Sequence, residues 1–404
     1  MGALVLASLL SGACATSTDD ATLGDDADIT SIPRSGVRDQ AATGNCWLYA
    51  TVAWAESLAV TADGKVPSYS TGYLVYWNFY EQILAAKSGF RGVEWTGGSW
   101  GRAAGLMARY GLMDLRAFTG RTAAGADAAL SLDAMDAVNA SLRSGALRTK
   151  GARSNGALVR RELDRAFGLS SELVANLDVV FGADGARTFE SGAIASGKVL
   201  SPAAVRARLP GGAGETTLRD CIGDQIGDDA DARSGPYAFQ TVALDHEVAV
   251  RRRPGALKAF LRRVQRALHA AMPVPVAWCV EEAGQDDEGR FVSAVGGVQE
   301  GECAHETLIV DYEAVLADGT VLPAGEVATA AEMAAALEDD ATVSFLRVKN
   351  SWGRDAGSSV AGYTDLSLAY LASSVRVCPE GAPSSEDCED WAFMLDRVVL
   401  PPGF

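Results

Sequence analysis

Residues 40–50 read Gln-Ala-Ala-Thr-Gly-Asn-Cys-Trp-Leu-Tyr-Ala and place Cys46 just after a glycine turn. From Trp47 to Leu58 apolar residues recur every three or four positions, which predicts a helix with one buried face that begins near Cys46. A thiol at a helix N-terminus lies at the positive end of the helix dipole, where the thiolate is favoured. From this segment alone, Cys46 is either a nucleophile or a buried structural cysteine.

Gln40 stands six residues before this cysteine. Its side-chain amide can donate a hydrogen bond into the space that the backbone N–H of Cys46 also faces. Two converging donors are what an enzyme needs to stabilise the oxyanion that develops when a thiolate attacks a carbonyl carbon. We therefore expect Gln40 to be an oxyanion-hole residue if Cys46 is the nucleophile.

The sequence around this segment, from residue 32 to residue 116, is rich in aromatic residues and predicts a helical lobe. A second helix is expected from about Thr71, because aromatic and aliphatic residues again mark one face as far as Leu84. An aromatic stripe at helical spacing is typical of a protein core. We interpret this one as core packing.

Two further regions follow. Residues 117–270 are rich in Ala, Gly, Asp and Arg, with helical periodicity at 127–143 and 157–176, and they predict a mostly helical insertion. Residues 271–404 contain β-branched apolar runs at 274–280, 307–310 and 345–348, separated by glycine-rich connections. These runs predict an antiparallel β lobe.

Composition and charge exclude several classes of function. The 404 residues are 48% hydrophobic and 22% charged, which is typical of a globular protein. A net charge of −17 argues against a nucleic-acid partner, because phosphate binding requires clustered positive charge. With three histidines and no Cys-x-x-Cys spacing, we expect neither a metal site nor a cofactor.

The first residues predict export. The apolar run from Ala3 to Leu10 is followed by small residues and Cys14, so residues 1–13 are interpreted as a signal peptide and 14–31 as an acidic tether. Leu10-Ser11-Gly12-Ala13-Cys14 is similar to a bacterial lipobox, in which Cys14 is the lipid attachment site. The alternative is an ordinary signal cleavage site, which would give a secreted protein without a lipid. The expected product is a bacterial cell-envelope lipoprotein or secreted protein.

Two distant motifs add a histidine and an asparagine. Cys303-Ala304-His305-Glu306 begins an apolar run, and Asn350-Ser351-Trp352-Gly353 ends another. Together with the Gln40 to Trp47 segment and Gly97-Gly98-Ser99-Trp100, in this order, they resemble the papain family of cysteine peptidases. The segments 44–50, 70–77 and 275–279 look most like its bleomycin-hydrolase-like branch, which also has a helical insertion between its lobes.

The resemblance implies an α+β fold, papain-like, with a helical lobe and an antiparallel β lobe. It implies that the Cys46 thiolate attacks a peptide carbonyl while paired with an imidazolium at His305, and that Asn350 orients the imidazole. Gly97 and Gly98 would bind the backbone of a peptide or protein substrate. Trp352 would shield the His–Asn contact from water, with Trp47 as a supporting residue beside the nucleophile.

The sequence departs from the family pattern at two places near these residues. Thr43 replaces the cysteine that often stands three residues before the nucleophile, so the disulfide common there cannot form. Glu306 follows the histidine where a small residue is usual. We expect its carboxylate to favour the imidazolium form of His305.

The remaining cysteines and histidines are assigned structural roles. Cys378–Cys388 would close a short loop and Cys279–Cys303 would link neighbouring strands, which leaves Cys221 unpaired. His246 and His269 are interpreted as packing or surface residues.

Two other functions share the same residues. One is a catalytically idle peptide-binding or adhesion lipoprotein on this fold, which would not need the full set of catalytic residues. The other is acyl transfer, in which the acyl group passes to an amine and not to water.

Overall fold

The structure is a computed structural model. It describes residues 32–404 apart from these gaps: 60–63, 87–89, 91, 95–96, 122, 124, 192–196, 227–228, 244–255, 295–297, 300–304, 355–359 and 379–389. The signal peptide, the tether and Cys14 lie outside the described residues, and these assignments stay predictions.

The helices of the described residues are these, in chain order: α1 Cys46–Leu58, α2 Thr71–Leu84, α3 Trp100–Tyr110, α4 Leu115–Thr119, α5 Ala126–Ser144, α6 Lys150–Arg153, α7 Gly156–Ala166, α8 Ser171–Phe181, α9 Leu218–Ile222, α10 Ala256–His269, α11 Ala330–Ala335 and α12 Leu368–Leu371. Of these, none has the length and apolar character needed to cross a bilayer.

The strands are these: β1 Leu112–Met113, β2 Val199–Leu200, β3 Arg206–Arg208, β4 Glu215–Thr217, β5 Asp224–Ile226, β6 Asp229–Ser234, β7 Gln240–Ala243, β8 Val274–Trp278, β9 Val298–Gln299, β10 His305–Val315, β11 Val321–Leu322, β12 Thr342–Lys349, β13 Tyr363–Ser367, β14 Ser374–Cys378, β15 Asp390–Phe393 and β16 Leu395–Leu400.

The helical lobe is built around α1, α2 and α3. All residues of α1 are buried, so it runs through the interior and does not lie on the surface. Trp54 of α1 packs edge-on against Trp100 of α3, with ring centroids 5.2 Å apart. The N-terminus of α2 is capped by Ser70, whose hydroxyl accepts a hydrogen bond from the Tyr73 N–H at 3.0 Å. The aromatic stripe of α2 is core, as predicted.

The main sheet of the β lobe is antiparallel, with the strand order β13-β12-β10-β8-β16-β7 and β11 added beside β10. A smaller sheet has the order β15-β14-β9, in which β14 and β15 are antiparallel and β14 and β9 are parallel. In the register of β10 and β8, His305 lies opposite Trp278. Since β12 is antiparallel to β10 and ends at Lys349, Asn350 follows directly at the same end of the sheet at which His305 begins β10. The sheet therefore places these two residues close together.

The region between the lobes packs on the helical lobe through a buried carboxylate. Asp127 of α5 accepts hydrogen bonds from the Ser70 hydroxyl and the Thr71 N–H, both at 2.7 Å. The helix predicted over 157–176 is two helices, α7 and α8, because Gly168 adopts a positive φ of 58° that ends the first. From Val199 onward the region consists mainly of short strands, and β7 joins the main sheet.

One continuous hydrophobic core runs through both lobes. The α+β fold predicted from the sequence is confirmed, with a helical lobe that carries the cysteine helix and an antiparallel β lobe that carries the histidine and asparagine. This is the two-lobe arrangement that the papain-like resemblance implies.

Candidate active site

Cys46 is the first residue of α1 and its side chain is only 8% exposed. The backbone N–H groups of Glu306, Trp47 and Cys46 itself favour the thiolate, so the start of β10 lies against the sulfur. Burial has the larger effect, and it raises the pKa of the Cys46 thiol to about 11. The N–H groups at the helix N-terminus lower this pKa, as expected, but desolvation outweighs them, so the net shift is upward.

His305 begins β10 between two tryptophans. Its ring stacks on Trp352, with centroids 4.6 Å apart and planes 20° from parallel, and it meets Trp278 edge-on at 5.3 Å. Burial lowers the pKa of the imidazole to about 4, although the hydrogen bond with Asn350 opposes this shift. The expectation that Glu306 favours the imidazolium is wrong. The Glu306 charge acts instead on Cys46, where it raises the thiol pKa.

Asn350 fixes which nitrogen of the imidazole carries the proton. The backbone N–H of Ser351 donates to Asn350 Oδ1 at 2.8 Å, and Asn350 Nδ2 donates to Thr364 Oγ1 at 3.1 Å. These contacts orient the amide, so the atom 2.9 Å from His305 Nε2 is an acceptor. The Nε2 atom must therefore be the protonated one, and Nδ1 of the neutral ring keeps its lone pair. This tautomer can accept a proton from a thiol.

Gln40 is held at both ends of its amide. Its Oε1 accepts a hydrogen bond from the Ser351 hydroxyl, and its Nε2 donates to the Thr43 carbonyl at 2.6 Å. The backbone N–H of Gln40 donates to the Ser351 carbonyl at 2.7 Å, which ties the segment before α1 to the segment after β12. Because an amide NH₂ group has two hydrogens, the second hydrogen of Nε2 can serve an incoming oxygen.

Gly97 and Gly98 precede α3 and differ in their surroundings. A Cβ atom added at Gly98 would lie 2.4 Å from Cδ2 and Cε2 of Trp47, so this backbone packs directly on the indole next to Cys46. A Cβ atom at Gly97 would meet no atom of the described residues within 4 Å. Gly98 is therefore required by packing. Gly97 borders open space, where an extended peptide could approach the backbone.

Trp47 and Trp352 support the site in different ways. Trp47 is buried under Gly98, and the guanidinium of Arg102 lies 5.3 Å from the centroid of its ring. Trp352 is half-buried and covers one face of the His305 ring. Both residues are therefore in contact with a predicted site residue.

Sequence reasoning missed three residues that contact the site. Ser351 orients both Gln40 and Asn350, Thr364 accepts from the Asn350 amide, and Trp278 packs on His305. Ser351 and Trp278 stand inside the motifs that suggested the family, which was the available signal. Thr364 has no such signal, because only the pairing of β12 with β13 brings it near.

A buried cluster of charged residues lies behind Asn350. Arg38, Glu56, Glu306 and Lys349 line a cavity of about 20 Å³, which has room for one water molecule. Arg38 forms an ion pair with Glu56. Burial lowers the pKa of Lys349 to about 7, and the nearby Glu56 carboxylate opposes this shift.

The other cysteines and histidines have no assigned role in the candidate site, and several of them lie outside the described residues. Cys279 is disulfide-bonded, but Cys303 and Cys388 lie outside the described residues, so both pairings stay predictions. Cys221 is buried and not disulfide-bonded. The ring of His269 is hydrogen-bonded to the Tyr312 hydroxyl at 2.6 Å, a packing contact, and His246 lies outside the described residues.

Comparisons with known proteins found similar solved structures only. No family model matches the chain, and no curated protein matches it. PepW from Lactobacillus rhamnosis is 13% identical, with a TM-score of 0.43 over 94% of this chain and 81% of that chain. Digestive procathepsin L 3 from Tenebrio molitor is 14% identical, with a TM-score of 0.34 over 94% and 70%. A cysteine protease from Carica candamarcensis is 15% identical, with a TM-score of 0.30 over 91% and 92%.

Proposed function

We propose that this protein is a papain-like cysteine peptidase that hydrolyses peptide bonds with Cys46 as nucleophile, His305 as general base and Asn350 as the residue that orients the imidazole. The observation that carries the proposal is the amide orientation of Asn350. It leaves a basic Nδ1 on a ring that begins the strand lying against the Cys46 sulfur. A histidine that served only packing would not need this tautomer.

The first chemical step follows from the two pKa shifts. Burial favours both the neutral thiol and the neutral imidazole, so we infer that the thiol proton passes to His305 Nδ1 as Sγ attacks the substrate carbonyl carbon. The carbonyl π bond becomes an oxyanion. The backbone N–H of Cys46 and the second hydrogen of Gln40 Nε2 are the proposed donors to that oxygen.

The second step releases the amine and then the acid. The imidazolium gives its proton to the leaving nitrogen, the C–N bond breaks and an acyl-enzyme remains on Cys46. Nδ1 of the neutral ring then takes a proton from water, whose oxygen attacks the acyl carbon. The C–S bond breaks, the free acid leaves, and Sγ takes the proton back from the imidazolium. Asn350 and Trp352 hold the ring in one orientation through both proton transfers.

Substrate binding is assigned to the glycine segment. The open space beside the Gly97 Cα supports an extended peptide backbone pairing with residues 97–98, because an added Cβ atom there would meet no described residue within 4 Å. A peptide or protein is the substrate class that we propose. The bleomycin-hydrolase-like branch is the proposed subgroup, supported by the segments 44–50, 70–77 and 275–279.

The setting of the enzyme is also a proposal. The apolar run before Cys14 and the acidic residues after it support export. Cys14 is then either lipidated or removed together with the signal peptide. A Cys279–Cys303 pairing suits an oxidising compartment.

Selective labelling tests the proposed nucleophile. An active-site-directed thiol epoxide should modify the peptide that contains Cys46, as read by mass spectrometry, and C46A should abolish cleavage of internally quenched peptides. Cys221 is the matched control, since it is also a buried thiol outside a disulfide, and C221A should retain cleavage.

Three outcomes would contradict the proposal. Cleavage that survives C46A would show that Cys46 is not the nucleophile. Tight peptide binding by the wild type with no turnover would favour an idle binding protein. Products joined to an added amine, with no free acid formed, would favour acyl transfer.

A further inference from the structure

Glu306 directly follows His305 and points into the protein. Its side chain is only 3% exposed, and its Oε1 accepts a hydrogen bond from the backbone N–H of Trp100 at 3.1 Å. Trp100 is the first residue of α3, which follows Gly97 and Gly98. The bond therefore connects the strand of the proposed base with the helix behind the proposed substrate-binding glycines, across the two lobes.

The contact is favoured by the chemistry of a helix N-terminus. The first N–H groups of a helix have no acceptor within the helix and carry partial positive charge. At α3 the Ser99 hydroxyl accepts from the Arg102 N–H at 3.3 Å, while Glu306 accepts from the Trp100 N–H. A carboxylate at this place satisfies a buried donor and is stabilised by the dipole, so it holds the two lobes in a fixed relation.

The same residue acts on the proposed nucleophile. Its backbone N–H favours the Cys46 thiolate, whereas its carboxylate charge opposes it. The other charged groups around this carboxylate are Glu56 of α1, Lys349 of β12 and Arg38 of the segment before α1, which line the same cavity. Among these charges, that of Glu306 is the one that raises the pKa of the Cys46 thiol.

We propose that Glu306 is a positioning residue that couples the two halves of the site: its hydrogen bond from Trp100 sets the place of Gly97 and Gly98 relative to His305, and its charge adds to the effect of burial in keeping Cys46 protonated. The inference rests on the proposed peptidase function. It concerns the side chain of a residue whose backbone N–H lies at the Cys46 sulfur, and it predicts that binding and thiol reactivity respond to different properties of this one side chain.

Two substitutions separate the charge from the hydrogen bond. E306Q keeps a carbonyl acceptor for the Trp100 N–H and removes the charge, whereas E306A removes both. The pH dependence of iodoacetamide alkylation of Cys46, followed by mass spectrometry, should shift to lower pH by up to about one unit in both variants. Hydrogen exchange of the Trp100 amide should accelerate on the order of tenfold in E306A only, since one buried hydrogen bond is lost.

Peptide kinetics supply a third measurement. We expect E306A to raise KM severalfold, because the glycine segment is no longer fixed, and E306Q to leave KM near the wild-type value. E313Q is the matched control. Glu313 lies further along β10 and is half-buried, so its substitution makes the same chemical change on the same strand without these effects.

The outcomes separate this inference from the proposed function. Alkylation and hydrogen exchange require no turnover, so they decide the role of Glu306 even if no peptide is cleaved. An alkylation profile of E306Q that matches those of the wild type and E313Q would overturn the charge effect. Unchanged Trp100 exchange in E306A would overturn the coupling of the lobes. If E306A does not fold, loss of folding together with a normally folded E306Q supports the hydrogen bond.

Discussion

Replacing Gly98 by alanine should destabilise the protein and impair the site together. The added Cβ would lie 2.4 Å from two ring carbons of Trp47, about 1 Å closer than carbon atoms approach in packed proteins. Trp47 is buried on the other side, so neither partner can move freely. Overpacking of this kind costs about 1–3 kcal/mol of unfolding free energy. Since Trp47 adjoins Cys46, a displaced indole should also lower kcat.

Gly97 supplies the matched control, because the same added methyl meets no atom within 4 Å there. Urea unfolding followed by tryptophan fluorescence should show G98A destabilised and G97A within about 0.5 kcal/mol of the wild type. In peptide hydrolysis, G97A should raise KM, since its methyl enters the space assigned to substrate. Equal stability of G98A and the wild type, or equal loss in both variants, would refute the packing argument.

Three further predictions concern protonation and the oxyanion donor. Lys349 has a pKa of about 7 in the fold and an ordinary pKa of 10.5, so the unfolded chain binds more protons than the folded chain between these values. In urea unfolding, the wild type should therefore gain a few kcal/mol of stability as pH rises from 7 to 9.5. K349M should lack this gain, and stability-versus-pH curves that run parallel for the two proteins would contradict the burial effect. His305, with a pKa of about 4 against 6.5, should cost the wild type about 3 kcal/mol as pH falls from 6.5 to 4, a loss that H305Q should not show in the same assay. S351A should free the Gln40 amide and lower kcat for peptide cleavage about tenfold with little change in KM; an unchanged kcat would argue against Gln40 as a donor.

Local patterns were sufficient to predict the main elements. The three- and four-residue spacing from Trp47 to Leu58 predicted α1, and the β-branched runs predicted β8, β10 and β12. The elements were predicted correctly because the periodicity of a segment depends only on neighbouring residues. The single buried face predicted for α1 was wrong, since strands and helices that are distant in sequence cover all of its residues. The helix expected over 157–176 was wrong in one respect, since Gly168 carried a helix-ending signal that periodicity alone does not weigh.

The electrostatics of the site could not be predicted in the same way. The pKa of Cys46 depends on how much protein covers the sulfur, and that cover comes from β10, more than 250 residues further along the chain. The Glu306 carboxylate was expected to raise the pKa of His305, whereas it acts on the pKa of Cys46. Sequence adjacency to His305 does not reveal which way the side chain of a strand residue faces. In β10 neighbouring side chains point to opposite faces, and this geometry directs the carboxylate of Glu306 to the N-terminus of α3.

The contact between Gln40 and Ser351 has a consequence for how the molecule matures. These residues are separated by 311 positions, yet one hydroxyl and one backbone pair hold the proposed oxyanion donor beside the asparagine that orients the imidazole. Closing so long a loop costs conformational entropy. Contacts between residues that are distant in sequence also form slowly during folding. If the proposed peptidase function holds, a chain still being synthesised would thus be inactive until Ser351 has emerged and met Gln40, and the cell that makes it would be protected from premature digestion.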